Sequence, residues 1–390
     1  MKIKKLFVLS LFLAAGIFFK SDSAFAATKT WAGGGSDNNF DTAANWSPSG
    51  APSNGDSLVF DTSTAVTRSD PVNNMSGLSV SSITFIGSGL DGVHTVTATT
   101  PLTVTGPITD SAAVDSVTHV AGTIILGDDV ITRGVSFEDG AGAIQLNSHT
   151  LTFKAALGQQ FIIGLETPIT GTGTVVLDHD DETVDSGAQI QFGGVNTYSG
   201  TTIYKSGSVL TLTLTPNQIF GTSSITIDPN AQLSLSLPDA ANNTSWDNPI
   251  TIAATNKANW VNDFASLFIS SRSGNALSLS IPNMTLQSDS RMTAGDNVTV
   301  NLAGINAGGF CVEYGNYDSY SNTWTGGSSF LNGPPHCVLS AATTKPKVPD
   351  TGYGLLLNNP ALVAGLTGTA AVAILAIARR QKVATRRSRR

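Results

Sequence analysis

The chain has 390 residues, of which 41% are hydrophobic and 13% charged, with 39 glycines, two cysteines and a formal net charge of −7. A chain this acidic offers no electrostatic footprint for nucleic acid or anionic lipid. Between its two ends it is poor in Lys and Arg and rich in Gly, Ser, Thr, Asn and Val, with turn residues between short apolar runs, a pattern that reads as all-β.

The first expected element is a leader. Lys2, Lys4 and Lys5 precede the apolar stretch 6–19, and Ala24-Phe25-Ala26 puts small residues where a signal peptidase reads them. The apolar core is shorter than a bilayer span, so residues 1–26 are expected to be a secretory signal peptide cut before Ala27 rather than a retained anchor. Lys20 and Asp22 make the cleavage region unusually polar.

From residue 27 onward the sequence predicts strands. The runs 57–60, 82–86, 95–99, 123–126, 144–146, 150–153, 174–177, 189–192, 209–214, 224–227, 232–237, 276–281 and 297–302 are β-branched and often alternate. No comparable amphipathic helical stretch precedes the C-terminal end, and 260–269 is the one ambiguous segment. Neighbouring runs share a local grammar, a small turn with Gly or Asn followed by TLTF, TVVL, VLTLTL, SITI or QLSL. Such strands cannot bury an apolar face singly, and stacking them as coils on the order of 20 residues long is the economical solution.

Phe192-Gly193-Gly194-Val195-Asn196-Thr197-Tyr198-Ser199-Gly200-Thr201-Thr202-Ile203, followed by Ser206-Gly207-Ser208-Val209-Leu210-Thr211-Leu212, resembles the autotransporter-associated β-strand repeat. Trp31-Ala32-Gly33-Gly34 with Asn45, Trp46, Pro52, Asp56 and Phe60 is similar to the amino-terminal block of β-helical passenger proteins. The resemblance implies a right-handed parallel β-helix for residues 27–305, with a tandem β-sandwich array as the competing fold. In that setting Gly193, Gly194, Gly200 and Gly207 are expected at corners needing positive φ, and Val195, Ile203 and Leu210 are expected to face the core. Asn196 is expected in an internal ladder. Trp31 and Trp46 read as a cap over the open end of the solenoid in preference to a sugar platform.

Cys311 and Cys337 are the only cysteines of an exported chain, which makes one disulfide the natural inference. Residues 306–339 then form a closed loop dense in Tyr, Asn, Gly and Ser. Two readings stand side by side: a stapled C-terminal cap, with a chain-entropy benefit of about 3–4 kcal/mol, and a ligand surface for a glycan or protein built from Tyr314, Tyr317, Tyr320 and Trp324.

Catalytic and metal-binding patterns are not visible. The acidic stretch Asp178-His179-Asp180-Asp181-Glu182 with Asp185 lacks calcium-loop spacing and reads as a solvated inter-coil loop, and Asp128-Asp129 reads as a turn. His94, His119, His149, His179 and His336 show no metal-ligand spacing, and no nucleophile elbow occurs. The expectation is no enzyme activity, no cofactor and no metal.

Residues 340–352 form a short Pro/Thr/Lys linker ending in Val348, Pro349, Asp350, Thr351 and Gly352. Residues 353–390 hold the uncharged apolar run 360–378, long enough as a helix to cross the ~30 Å hydrocarbon core, and a tail of seven basic residues that the positive-inside bias keeps cytoplasmic. Val-Pro-Asp-Thr-Gly, then apolar helix, then basic tail resembles the Leu-Pro-x-Thr-Gly cell-wall sorting signal, with Val348 replacing the usual Leu. By this resemblance a sortase cuts between Thr351 and Gly352 and joins the Thr351 carboxylate to a cell-wall amine acceptor. Between Ala27 and Thr351 the chain carries ten basic and twenty-seven acidic residues, a net charge of −17. The expectation is a protein anchored in the cell wall at the cell surface, an adhesin or structural component meeting a glycan or a host or neighbour-cell surface ligand. The alternative is a surface-anchored β-helical polysaccharide lyase or glycosidase, whose carboxylates and base the fold would have to assemble.

Overall fold

Alternation of apolar and polar residues becomes, in space, a strand with every second side chain turned inward. In the computed structural model Ser57–Asp61 buries Leu58 and Phe60, and Ser82–Ile86 buries Ile83 and Phe85. The two strands pair in parallel with Leu58 opposite Ile83 and Phe60 opposite Phe85, so apolar side chains stack coil upon coil. One such column runs from Thr132 through Phe153, Leu177, Tyr204, Ile227 and Ile252 to Leu286, every member buried. Each large apolar side chain in it contributes about 1.5–3 kcal/mol by leaving water.

The structure describes residues 26–333 except 88–91, 112–117, 139–141, 155–161, 179–188, 207, 212, 229–230, 232, 254–266, 303, 319–322 and 326–329. Within them the strands assemble into sheets of thirteen, fifteen and four strands. The architecture is a right-handed parallel β-solenoid, not an array of sandwiches, which would need antiparallel sheets. Twelve parallel strands along the first sheet, at ~4.8 Å each, give a stack roughly 50 Å long. Among the described residues two strand pairings are antiparallel, one at each end: Trp46–Ser47 on Thr28–Trp31, and Thr323–Thr325 on Val312–Asp318.

The strands Ser82–Ile86, Gln189–Phe192 and Ser224–Ile227 coincide with their expected spans. Ile108–Asp110 and Val130–Arg133 were not expected as strands. Each offers two inward positions, one of them polar: Asp110 is buried and accepts a hydrogen bond from the Thr118 hydroxyl at 3.0 Å, and Thr132 is buried. Coils are longer than expected. Val130 pairs with Leu151, a step of 21 residues, and Ile250 with Met284, a step of 34. Much of the variation sits between first-sheet and second-sheet strands, where Gly134 alone joins Arg133 to Val135 but residues 253–266 separate Ile252 from Leu267.

The repeat-like segment has a different inside from the one expected. In Ser199–Ser206 it is Thr202 and Tyr204 that are buried, while Ile203 is half-buried and Val195 is 47% exposed. Register decides this, because Thr202 lies opposite Val175 and Ile225, both inward. The inward hydroxyl is tolerated because it is paired: Tyr198 Oη lies 2.6 Å from Thr202 Oγ1, which lies 2.7 Å from Ser223 Oγ, which donates to Phe220 O at 2.8 Å. Burial pushes the Tyr198 phenol up to about 12, against the lowering effect of those hydroxyls. Asn196 is buried and bridges coils, accepting from Ile169 N and donating to Ile219 O, both at 2.7 Å. Gly200 has the expected positive φ of 119°. Gly193 and Gly194 do not, and at Gly194 the reason is space, because a Cβ would come within 2.5 Å of Glu166 O. Leu210 pairs through its backbone with Ser236. Gly207 lies outside the described residues.

No helix among the described residues is long and apolar enough to cross a membrane. Residues 1–25 of the expected leader 1–26, the motif Val348–Gly352 and the apolar run 360–378 lie outside them. Of the ambiguous stretch 260–269, the described end belongs to the strand Leu267–Ser271.

Candidate functional site

The N-terminal block closes the solenoid. Trp31, Phe40, Trp46 and Phe60 form a buried aromatic cluster with centroid separations of 5.0–6.5 Å, and Phe85 continues it 5.6 Å from Phe60. Both indole N–H groups are committed, Trp31 Nε1 to Arg68 O at 2.6 Å and Trp46 Nε1 to Phe40 O at 2.8 Å. Both tryptophans are 2% exposed, so neither ring face is open to a sugar. Pro48 follows Trp46–Ser47 directly and brings no backbone donor, which blunts the edge.

The C-terminal end carries the expected ligand residues. Val312–Asp318 continues the second sheet in register with Ser290–Ala294, so the stack runs on past residue 305. It then pairs with Thr323–Thr325, placing the backbone of Tyr317 opposite that of Trp324. Phe330–Leu331 rejoins the third sheet beside Val300–Asn301. Cys311 is disulfide-bonded. Cys337 and Tyr320 lie outside the described residues. Tyr314 sits opposite Met292 and is half-buried against the core, where burial raises its phenol to about 12. Its alternation position packs it on the coil before, beside Met292. Next to it Arg291, nearly buried, grips Glu313 across the strands, with Nη2 and Nε at 2.6 and 2.7 Å from Oε2.

Polar side chains elsewhere also link coils. Lys154 Nζ lies 3.1 Å from Asp178 Oδ2, and His119 Nδ1 lies 3.0 Å from Glu138 Oε1. Asp178 is thus one partner of an inter-coil pair, while 179–185 lie outside the described residues. The structure does gather one group that spacing in the chain concealed: Asp128, Asp129 and His149 bring their ligand atoms within 4.8 Å of one another. The coil step explains it, because His149 follows Asp128 by 21 positions. Both aspartates are exposed, and Asp129 Oδ1 already accepts from Thr150 N at 2.7 Å. These residues suit a weak, solvated cation contact better than a closed site.

Compared with protein-family models, curated proteins and solved structures, the chain matches none. The likeness of residues 192–212 to a passenger-type strand repeat therefore stands on those residues and on the coil geometry.

Proposed function

We propose that the chain is an exported surface protein, attached to the cell wall through Val348, Pro349, Asp350, Thr351 and Gly352 and working as an adhesin or structural surface component by binding rather than by catalysis. What supports this reading is the order along one chain: among the described residues a coil stack from Thr28 to Leu331, blunted by an antiparallel pair at each end, and in the sequence after it a short linker and a segment that resembles a sorting signal. A signal peptidase, a sortase and a cell-wall amine acceptor are the implied processing partners. The ligand, where the protein is adhesive, is a glycan or a protein of a host or neighbouring cell. The edge hairpin with Tyr317 and Trp324 is the preferred contact, because aromatic side chains give large contact area at low rotamer cost. An acidic body of this kind is repelled by an anionic cell surface, which favours a solenoid held off that surface except at its anchored end.

The test is the mass of the C-terminal peptide from purified envelope, with and without sortase activity in the producing cell. A peptide ending at Thr351 and carrying an envelope-derived amine, seen only with sortase, is expected. An intact tail through Arg390 in both cells overturns covalent anchoring.

A further inference from the structure

We propose that Asp56 is a built receptor for the new N-terminus made when the leader is removed, taking the α-ammonium of Ala27 as its counter-ion. The inference rests on the export reading of residues 1–26. Asp56 is 3% exposed, and its Oδ1 accepts from the backbone nitrogen of Ala27 at 2.7 Å while its Oδ2 accepts from Ser53 N at 2.8 Å. Among the described residues no basic side chain pairs with it; the nearby Lys29 turns its Nζ to Pro48 O at 3.1 Å. A carboxylate removed from water with neutral donors alone is costly, and a cation at that place offsets the cost.

The backbone fixes the atom that faces it. Thr28 pairs in parallel with Ser57, and Ser57 N donates to Ala27 O at 2.8 Å, so Ala27 is held against the residue before Ser57. Ala26 is exposed beside Gly55. Two independent lines meet on one nitrogen: the small residues Ala24 and Ala26 put the cut before Ala27, and the fold puts a buried carboxylate on Ala27 N. Hydrolysis of the Ala26–Ala27 bond by one water leaves a carboxylate on Ala26 and an amine on Ala27, which takes up a proton near neutral pH. The amide that donated one hydrogen bond becomes an ammonium paired with Asp56. A cut one residue away displaces the amine by roughly 3.5 Å and loses the pair. The site thereby couples correct processing to the seating of the first coil.

The experiment measures the labelling rate of the α-amine by an amine-specific reagent at about pH 6.5, well below the ordinary α-amino pKa of about 8, in the exported protein and in its Asp56→Asn variant. Wild type is expected to label about tenfold more slowly than Asp56→Asn, the equivalent of one pKa unit. Equal rates overturn the proposal. A chain prepared to begin at Ala26 serves where Asp56→Asn does not fold, and it is expected to label at the faster rate; a slow rate there overturns the proposal as well. The N-terminal residue of the exported protein is determined in parallel. A start other than Ala27 defeats the cleavage reading, whereas a start at Ala27 with equal labelling rates defeats the role of Asp56 alone.

Discussion

At the N-terminal end the solenoid covers its open edge with Trp46–Ser47, and at the C-terminal end with Thr323–Thr325, in both cases by antiparallel pairing onto an otherwise parallel sheet. What lies behind the covering strand differs. The first coils are filled by Trp31, Phe40, Trp46 and Phe60, all buried. The last coil has Tyr314 half-buried, the Arg291–Glu313 pair and the disulfide-bonded Cys311. An end closed by apolar burial needs no covalent help, while an end left open enough to carry exposed chain is held by a crosslink and a charge pair. In a solenoid each coil contacts only its neighbours, so the two ends are expected to fail independently.

The largest effect should come from opening the N-terminal cap. Trp46→Ala removes an indole in contact with three other aromatic rings and is expected to cost about 3–5 kcal/mol, read as a lower denaturant midpoint with hydrogen exchange rising first in Thr28–Trp31 and Ser57–Asp61. A loss under about 1 kcal/mol would mean that the cap is not the apolar plug its burial indicates. Reduction of the Cys311 disulfide comes next. It is expected to cost about 3–4 kcal/mol confined to the last coil, with faster exchange in Val312–Asp318 and none in Thr28–Trp31. Faster exchange at both ends would break the comparison, because it would make the stack one cooperative unit.

The strands were legible because period-two alternation and β-branched runs report burial directly, whereas their parallel stacking was implied by the resemblance of residues 192–212 to a passenger-type strand repeat. Leu58, Phe60, Ile83 and Phe85 illustrate the alternation. The cap was legible from the aromatic density around Trp31 and Trp46. Register was not. In the segment 195–204 the apolar residues Val195 and Ile203 face outward and Thr202 faces inward, since the neighbouring coils and a hydroxyl chain to Tyr198 and Ser223 outweigh intrinsic hydrophobicity. Nor was the gathering of Asp128, Asp129 and His149, whose only signal is a separation equal to one coil step of 21 residues, a number that the sequence does not supply while coils range to 34. The buried carboxylate at Ala27 was hidden for the same reason, because Asp56 lies 29 residues away.

A smaller effect tests how the N-terminal end treats charge. Asp61 ends the strand Ser57–Asp61 and ties down the turn after it, accepting from the hydroxyls of Ser63 and Thr64 at 2.7 Å and from their amides at 2.7 and 3.1 Å. Partial burial alone would raise its pKa, but the hydrogen bonds, Ser63 first and then Thr64, bring it down to about 2 from the ordinary 3.8. The sign follows from the direction. The folded form holds its proton less tightly than the unfolded chain, so the stabilisation is complete above pH 3.8 and is lost as pH falls towards about 2. Asp61→Asn keeps an acceptor but no charge, and its melting temperature should trail that of wild type near neutrality and converge with it across that window. A carboxyl-carbon titration of Asp61 by NMR is expected to give a midpoint near 2, and a midpoint at 3.8 would show that the turn holds without the charge. Because these donors are neutral, added salt should leave the turn unchanged, and because Arg291 is nearly buried, the guanidinium that grips Glu313 at the opposite end should lose little to screening.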